Sequence, residues 1–589
     1  MRNLRSSILT ALLLIGIALG ATRWADALQQ SIVAYTSPLV GAALRPGEAL
    51  TPATRRVAVV IISGLGYQAE LELAMPNYDA LRAAGASAQM LSRPPVSRAA
   101  IWTALLTGVW PDLNNAPLLP AGEAAANPRS PAISLDHVLA AARAAGMRTA
   151  LAGSAEWEAL LPAGRLDASY FSPGEDALAD GLVAQAALGY IADPQYRLIL
   201  VHFSQLDAAG RVGGTAGTAY ANAARQVDSY LRQITRQLDL SESVLMVTSD
   251  VALLADGQRA GGDAVPPALP FIMAGQNVIS GSFDPVEQVD LAPTLAVLLG
   301  TRLPGTSQGS PLFDMLHFDP AARVVNQLQL AAQQVAVTNT YLAAIGQTEA
   351  QQLSYSDLAM AHQSFVDGNQ AGALQLAKLA TEEARAELAA AQAARRTTEQ
   401  LPRLALSGLA LLVPMALFWV RRLARAPLAG VAASAAVVGF YALYLLSGHP
   451  FSFSALDALG GLGGWLAAYA LLAVAAGGCL VLAGLLYGTP RRWWAAVSAG
   501  YDYGLLTAYL SAVPILFAYW QHGSRLSWYL PNLTWVFWQR MALGQLAAAA
   551  VAALAWPWLL GLVTWGVDRR RARARPRSRG WDPIAHLRR

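Results

Sequence analysis

Beyond residue 400 the chain stops mixing polar and apolar positions and runs apolar for long stretches. Five of these, at approximately 404–420, 427–447, 464–487, 496–520 and 541–566, are long enough to cross about 30 Å of hydrocarbon at roughly 20 residues each. A shorter run, SILTALLLIGIALGA, follows Arg2 and Arg5 and reads as a cleaved signal peptide or as an anchor that stays. Between 55 and 315 the pattern changes. Short β-branched runs at 57–63, 148–154, 196–203, 243–249 and 268–275 alternate with Ala/Leu helical periodicities at 76–84, 98–106, 134–145, 177–192 and 217–236. That alternation predicts an α/β fold with a mostly parallel sheet flanked by helices. A helical connector follows, with one helix over 323–342 and a pair over 354–397 broken at Asp367-Gly-Asn369. The predicted divisions are a signal or anchor at 1–21, an α/β domain at 55–315, a connector at 320–400, an all-α membrane domain of five helices at 402–567 and a basic tail at 568–589.

Composition strengthens the membrane reading. The chain is 54% hydrophobic and 14% charged, against about 25% charged in soluble proteins. Arginines cluster at 421–425, 491–492 and 569–579, at every second helix end, and the intervening loops carry almost no positive charge. The positive-inside rule makes those ends and the C-terminal tail cytoplasmic, and puts residues 22–401 on the outer face of a multi-pass cell-membrane protein. The net charge of +4 is therefore a topology signal, and nucleic acid is not an expected partner. Cys479 is the only cysteine, so no intrachain disulfide exists. Lys378 is the only lysine, which excludes a catalytic lysine in 55–315.

In open α/β sheets, ligands bind beyond the carboxyl ends of the strands, which singles out Ser63, Ser97, Asp207 and Asp250. The first lies in VVIISGLGY, where a buried strand meets a glycine turn. GLGYQA at 64–69 also fits G-x-G-x-x-A, yet no acidic residue follows in 83–93, where a dinucleotide fold needs one.

Read together, VVIISGLGY, PPVSRAAIWTALLTGVWP (94–111), LVHFSQLDAAGRVGG (200–214), VLMVTSDVALLADGQRAGGD (244–263) and VEQVDLAPTLAVLLGTRLPGTSQGSPL (286–312) resemble the alkaline phosphatase superfamily in its type I phosphodiesterase and sulfatase-like branch. The α/β domain, connector and multi-spanning C-terminus together are similar in architecture to the GPI ethanolamine phosphate transferases, and 323–342 resembles the Gln/Asn-bearing helix that follows their catalytic domain. The resemblance implies two divalent metals, held by Asp and His around a Thr or Ser nucleophile.

Carried across, the first Asp ligand falls on Ser63 and the nucleophile on or beside Ser97. The Asp-x-x-x-His pair falls on Asp207 and Arg211, the Asp-His dipeptide on Asp250 and Val251, and the last His near Arg259. Every histidine position is replaced, and Asp207 and Asp250 are the carboxylates that remain. The seven histidines form no substitute cluster, and His202, in the strand before Asp207, reads as a core histidine. A serine and two carboxylates are too few for a dinuclear zinc site, though they suit one weakly held Mg²⁺ or Ca²⁺. An Arg–Asp network, joining Arg211 or Arg259 to Asp207 or Asp250, is the alternative filling. Ser97 also reads as the N-cap of 98–106, Asp207 and Asp250 as caps or turn residues, Asp290 as structural, and Tyr220 and Asp228 as packing.

The expectation is a membrane-anchored protein with a degenerate metal site: a pseudoenzyme without a cofactor that binds a phosphate-bearing lipid or glycan headgroup through Arg98, Arg211 and Arg259. The alternative is an active phosphodiesterase or phosphoethanolamine transferase that uses Ser97 and a divalent Zn, Mn or Mg. A transporter-associated protein is a third reading, weakened by the lack of buried Asp/Glu/Lys pairs in the apolar stretches.

Overall fold

The structure is a computed structural model that describes residues 2–41, 44, 47–118, 132–162, 164–260, 268–347, 356–420, 427–449, 451, 453, 462–487 and 493–574. The predicted strands form to within a residue: β1 (Arg56–Ile62), β3 (Arg148–Ser154), β5 (Tyr196–Phe203), β6 (Ser243–Thr248) and β7 (Ala268–Gly275). Four more join them: β2 (Ala86–Leu91), β4 (Ala168–Ser172) and the two-residue β8 (Gly281–Ser282) and β9 (Val286–Glu287). The sheet order is β4-β3-β5-β1-β6-β7-β2-β8, with β9 also on β2. β1 runs parallel to β5 and β6, and β7 is antiparallel to β6 and β2.

Strand β1 is apolar from Val57 to Ile62 because helices cover both faces of the sheet. Val57, Val59 and Ile61 enter one core, and Ala58, Val60 and Ile62 enter the other. The predicted helices appear as Pro76–Ala84, Arg98–Thr107, Ala177–Ala192 and Thr218–Gln237, while 134–145 shortens to Val138–Ala144, capped by His137. The segment around Asp207, where no helix is predicted and Asp207 reads as a cap or turn residue, is a helix, Gln205–Gly213, with Asp207 in its first turn. Tyr220 and Asp228 are structural. The Tyr220 hydroxyl donates to Gly64 O, and the Asp228 carboxylate accepts from the amides of Asn77 and Tyr78, anchoring the start of the Pro76–Ala84 helix.

The connector contains Pro320–Ala344, Ser356–Val366 and a 51-residue helix, Gln370–Val420, with the break at 367–369 as predicted. The apolar stretch 404–420 is the end of that long helix. Five described helices are long and apolar enough to cross a membrane, within Ser7–Val33, Pro427–Leu446, Leu462–Tyr487, Trp493–His522 and Leu533–Arg571. This is a multi-pass membrane protein. Its N-terminal helix, Arg2–Val33, is longer than the apolar run suggested and lies along Leu533–Ala574. Leu14, Ala18, Ala21, Ala25, Leu28 and Ile32 form its buried stripe. The arginine clusters at 421–425 and 491–492 and most of the tail lie outside the described residues.

The α/β domain sits against the membrane helices. Leu118 shares a core with Phe453 and Phe537, and Gln258 Nε2 donates to Gly448 O at 2.9 Å. The loop carrying Arg259 is thereby brought against a loop of the membrane domain.

Candidate functional site

The site is built at the carboxyl ends of β1, β5 and β6. Gly64 leaves β1 at φ +88, and a Cβ there would stand 2.6 Å from the Asp207 Cα. Glycine is thus what lets the β1 turn touch the Gln205–Gly213 helix. Gly257, at φ +85, plays the same part opposite, where a Cβ would stand 2.3 Å from Gly210 O. It seats the Arg259 loop on the helix that carries Arg211.

These approaches gather three guanidinium groups on one carboxylate oxygen. Asp207 is fully buried, and its Oδ2 accepts from Arg98 Nη2 at 2.6 Å, Arg211 Nε at 3.0 Å and Arg259 Nη2 at 3.0 Å. Two further acids complete the network. Glu175 accepts from Arg98 Nη1 and from Arg211 Nη2, and Glu156 Oε2 lies 3.1 Å from Arg98 Nη1. Arg98, Arg211 and Arg259 thus face Asp207, Glu156 and Glu175, three charges against three. Burial pushes the Asp207 carboxyl up, but Arg259, Arg98 and Arg211 outweigh it and hold the group below the usual carboxylate range. Burial likewise works against the Arg98 charge, and Glu156, Asp207 and Glu175 more than restore it. Arg98 and Arg211 lower Glu175 against its own burial.

Asp250 occupies a second buried corner, among aromatic rings. Its Oδ2 accepts from Trp102 Nε1 at 2.7 Å and stands 3.5 Å from His202 Nε2. Trp102 and Trp157 stack at 4.1 Å, and the His202 ring stands edge-on to both. Burial raises the Asp250 carboxyl, but His202, then Arg98 and the Trp102 N–H, bring it well below the usual range. His202 is buried as expected, yet it faces Asp250 and belongs to this corner of the site.

Ser97 caps the Arg98–Thr107 helix. Its Oγ accepts from Ala100 N at 3.3 Å and donates to Pro117 O at 3.0 Å, so the hydroxyl proton is engaged by a carbonyl. Val251 is buried, and its carbonyl accepts from Gly64 N. The Arg–Asp pairing expected for Arg211 and Arg259 is found on Asp207, and Arg98 joins it. The sequence reading missed Glu156, Glu175 and Trp102. Glu156 and Glu175 follow the ends of β3 and β4 by two and three residues, the position that drew attention to Asp207.

The two metals implied by the resemblance do not fit this donor set. Ser63 Oγ, Asp207 Oδ1 and Asp250 Oδ1 are buried oxygens without a hydrogen-bond partner among the described residues. A cation on Asp207, however, would share that carboxylate with three guanidinium groups. Among the described residues, no group of three or more His, Cys, Asp and Glu side chains is placed to hold a metal.

Comparison with known proteins bears out the resemblance. Residues 57–252 match the family model for type I phosphodiesterase / nucleotide pyrophosphatase. The catalytic subunit of GPI ethanolamine phosphate transferase 3 from Homo sapiens is 24% identical over 248 residues, 39% of this chain and 23% of that protein. The catalytic subunit of GPI ethanolamine phosphate transferase 2 from Homo sapiens is 25% identical over 223 residues, 35% of this chain and 22% of that protein. The chain thus spans about a quarter of the length of the curated relatives it matches. Among solved structures, murine ectonucleotide pyrophosphatase / phosphodiesterase 5 is 11% identical, with 44% of this chain and all of that one covered and a TM-score of 0.38.

Proposed function

We propose that the protein is a membrane-embedded relative of these phosphodiesterases in which an ion-pair network replaces the metal centre, and that it acts by binding rather than by turnover. The observation that carries this reading is the convergence of Arg98, Arg211 and Arg259 on Asp207 Oδ2. A divalent cation activates a hydroxyl and neutralises charge developing on a phosphoryl group. Guanidinium groups supply the second effect and not the first, and the hydroxyl of Ser97 is committed to Pro117 O. The ligand class is a phosphate-bearing group at the membrane surface, matched to the guanidinium fork. It would engage Arg211 and Arg259, whose side chains are 29% and 14% exposed, with Arg211 exchanging Glu175 for the ligand. In this reading residues 22–401 lie outside the cell and the C-terminal tail inside.

The test is the metal content of the purified full chain, alongside its turnover of a generic phosphodiester. Less than one zinc per chain and no turnover are expected. Two tightly bound zinc ions, or an activity abolished by Ser97→Ala, would overturn the reading in favour of an active transferase.

A further inference from the structure

The end of the helix bundle that carries the α/β domain holds a second polar site, on membrane-entering elements. His522 closes the Trp493–His522 helix and is 4% exposed, yet neither ring nitrogen has a hydrogen-bond partner among the described residues. The next residue, Gly523, is touched from two sides. Gln539 Nε2, on the Leu533–Ala574 helix, donates to its carbonyl at 3.4 Å, leaving the fully buried Oε1 without a partner among the described residues. The guanidinium of Arg403, on the Gln370–Val420 helix, stands where a Cβ on Gly523 would meet it at 3.1 Å. Three helices thus bring an arginine, a histidine and a glutamine to one point at the bundle end.

Anchoring accounts for part of this. Glu399 accepts from Arg403 at 2.6 Å, from Arg395 at 3.2 Å and from Trp528 Nε1 at 2.8 Å, a belt of the sort found at membrane interfaces. It does not account for the rest. Glu399 is one carboxylate for two guanidinium groups, so the belt carries surplus positive charge. A histidine and a buried amide oxygen without partners each cost free energy unless something polar reaches them. In a membrane helix such groups mark a functional site.

We infer that this junction holds the phosphate of an anionic lipid, with Arg403 supplying the charge and the His522 ring donating a hydrogen bond. The only abundant phosphate at this depth belongs to lipid headgroups, and lipids enter sideways between helices. The site is separate from the Asp207 network, and the inference does not depend on how that network functions.

The test uses the full chain in vesicles of equal parts phosphatidylglycerol and phosphatidylcholine, with lipid retained through detergent purification counted by native mass spectrometry. Phosphatidylglycerol is expected to be retained in preference. His522→Leu and Arg403→Gln are each expected to lower that retention by roughly tenfold or more, the size of one charge-assisted hydrogen bond. His522→Leu removes unpartnered polar atoms, so its melting temperature should be unchanged or higher, which separates lost binding from lost folding. Equal retention of the two lipids, or retention unchanged in both variants, would overturn the inference. A stabilisation by inorganic phosphate alone that disappears in Arg403→Gln, without selective lipid retention, would overturn the lipid assignment in favour of a free anion.

Discussion

Arg98 and Asp207 are 8% and 0% exposed, and Arg98 Nη2 lies 2.6 Å from Asp207 Oδ2. Asp207 also accepts from Arg211 and Arg259, and Arg98 also pairs with Glu156 and Glu175, so the pair is shared with the rest of the network. Arg98→Met leaves Asp207 with two guanidinium partners and should therefore cost less than the roughly 3–5 kcal/mol of an exclusive buried pair. Asp207→Asn, which leaves three guanidinium groups without their shared carboxylate, should cost more than Arg98→Met. Thermal unfolding of Arg98→Met, Asp207→Asn and the double variant checks this. The double variant should be less destabilised than the sum of the two singles.

Ser63→Asp restores an expected ligand but buries a third carboxylate beside Asp207 and Asp250. Alone, it should lower the melting temperature, with or without zinc. Combined with Arg211→His, Val251→His and Arg259→His, it should make stability depend on zinc, since metal bound only by the folded state stabilises it. Melting curves with zinc and with chelator distinguish the two; zinc stabilisation of the single variant would contradict the ion-pair account.

Ser97→Ala should cost about 1 kcal/mol through the lost helix cap. Ser97→Asp, which keeps a capping oxygen, should recover most of it. A nucleophile would show the opposite pattern, with activity lost in both variants.

His137 gives the α/β domain an acid limit. Its Nδ1 accepts from Ala140 N at 3.2 Å, which requires the neutral ring. Burial lowers its pKa from 6.5 to about 4; Asp136 opposes this, while Arg165 and Arg302 add to it. The unfolded chain takes up this proton at higher pH than the folded one. The contribution of His137 is therefore complete above pH 6.5 and is lost as the pH falls towards 4. It amounts to about 3 kcal/mol, at 1.36 kcal/mol per pKa unit. His137→Asn, which can cap without titrating, should flatten the acid limb of a stability–pH curve.

The parts of the fold legible in sequence are those where burial on both sides leaves an unbroken apolar run. β1, β5 and β6 announce themselves in this way, and the strand-end rule then finds Asp207 and Asp250. β2 escapes because Ala86–Leu91 alternates buried and half-buried positions with Ala, Ser and Gln, a pattern with little contrast. The helix at Gln205–Gly213 escapes because two of its nine residues are glycines, which normally argue against a helix. For the site, departures from the family motif are easier to see than the contacts the side chains make. Ser63 and Val251 stand out only against the family's motif, which the resemblance places on them. Which acids answer Arg98 depends on loops that close over the sheet from β3 and β4, and no local pattern encodes that closure.

The 51-residue helix Gln370–Val420 joins the connector to its apolar end without interruption. At 1.5 Å per residue it is about 75 Å long. Arg385, partway along, bonds to Gln308 O and to Ser310 Oγ of the α/β domain, so this rod is geared to the domain it passes. Pro402 and Pro414 lie within it towards its apolar end, and proline is where a helix bends most readily. A tilt of one degree at that end would move the far end by about 1.3 Å, given the rise per residue. Any displacement of the apolar end would then reach the α/β domain as leverage.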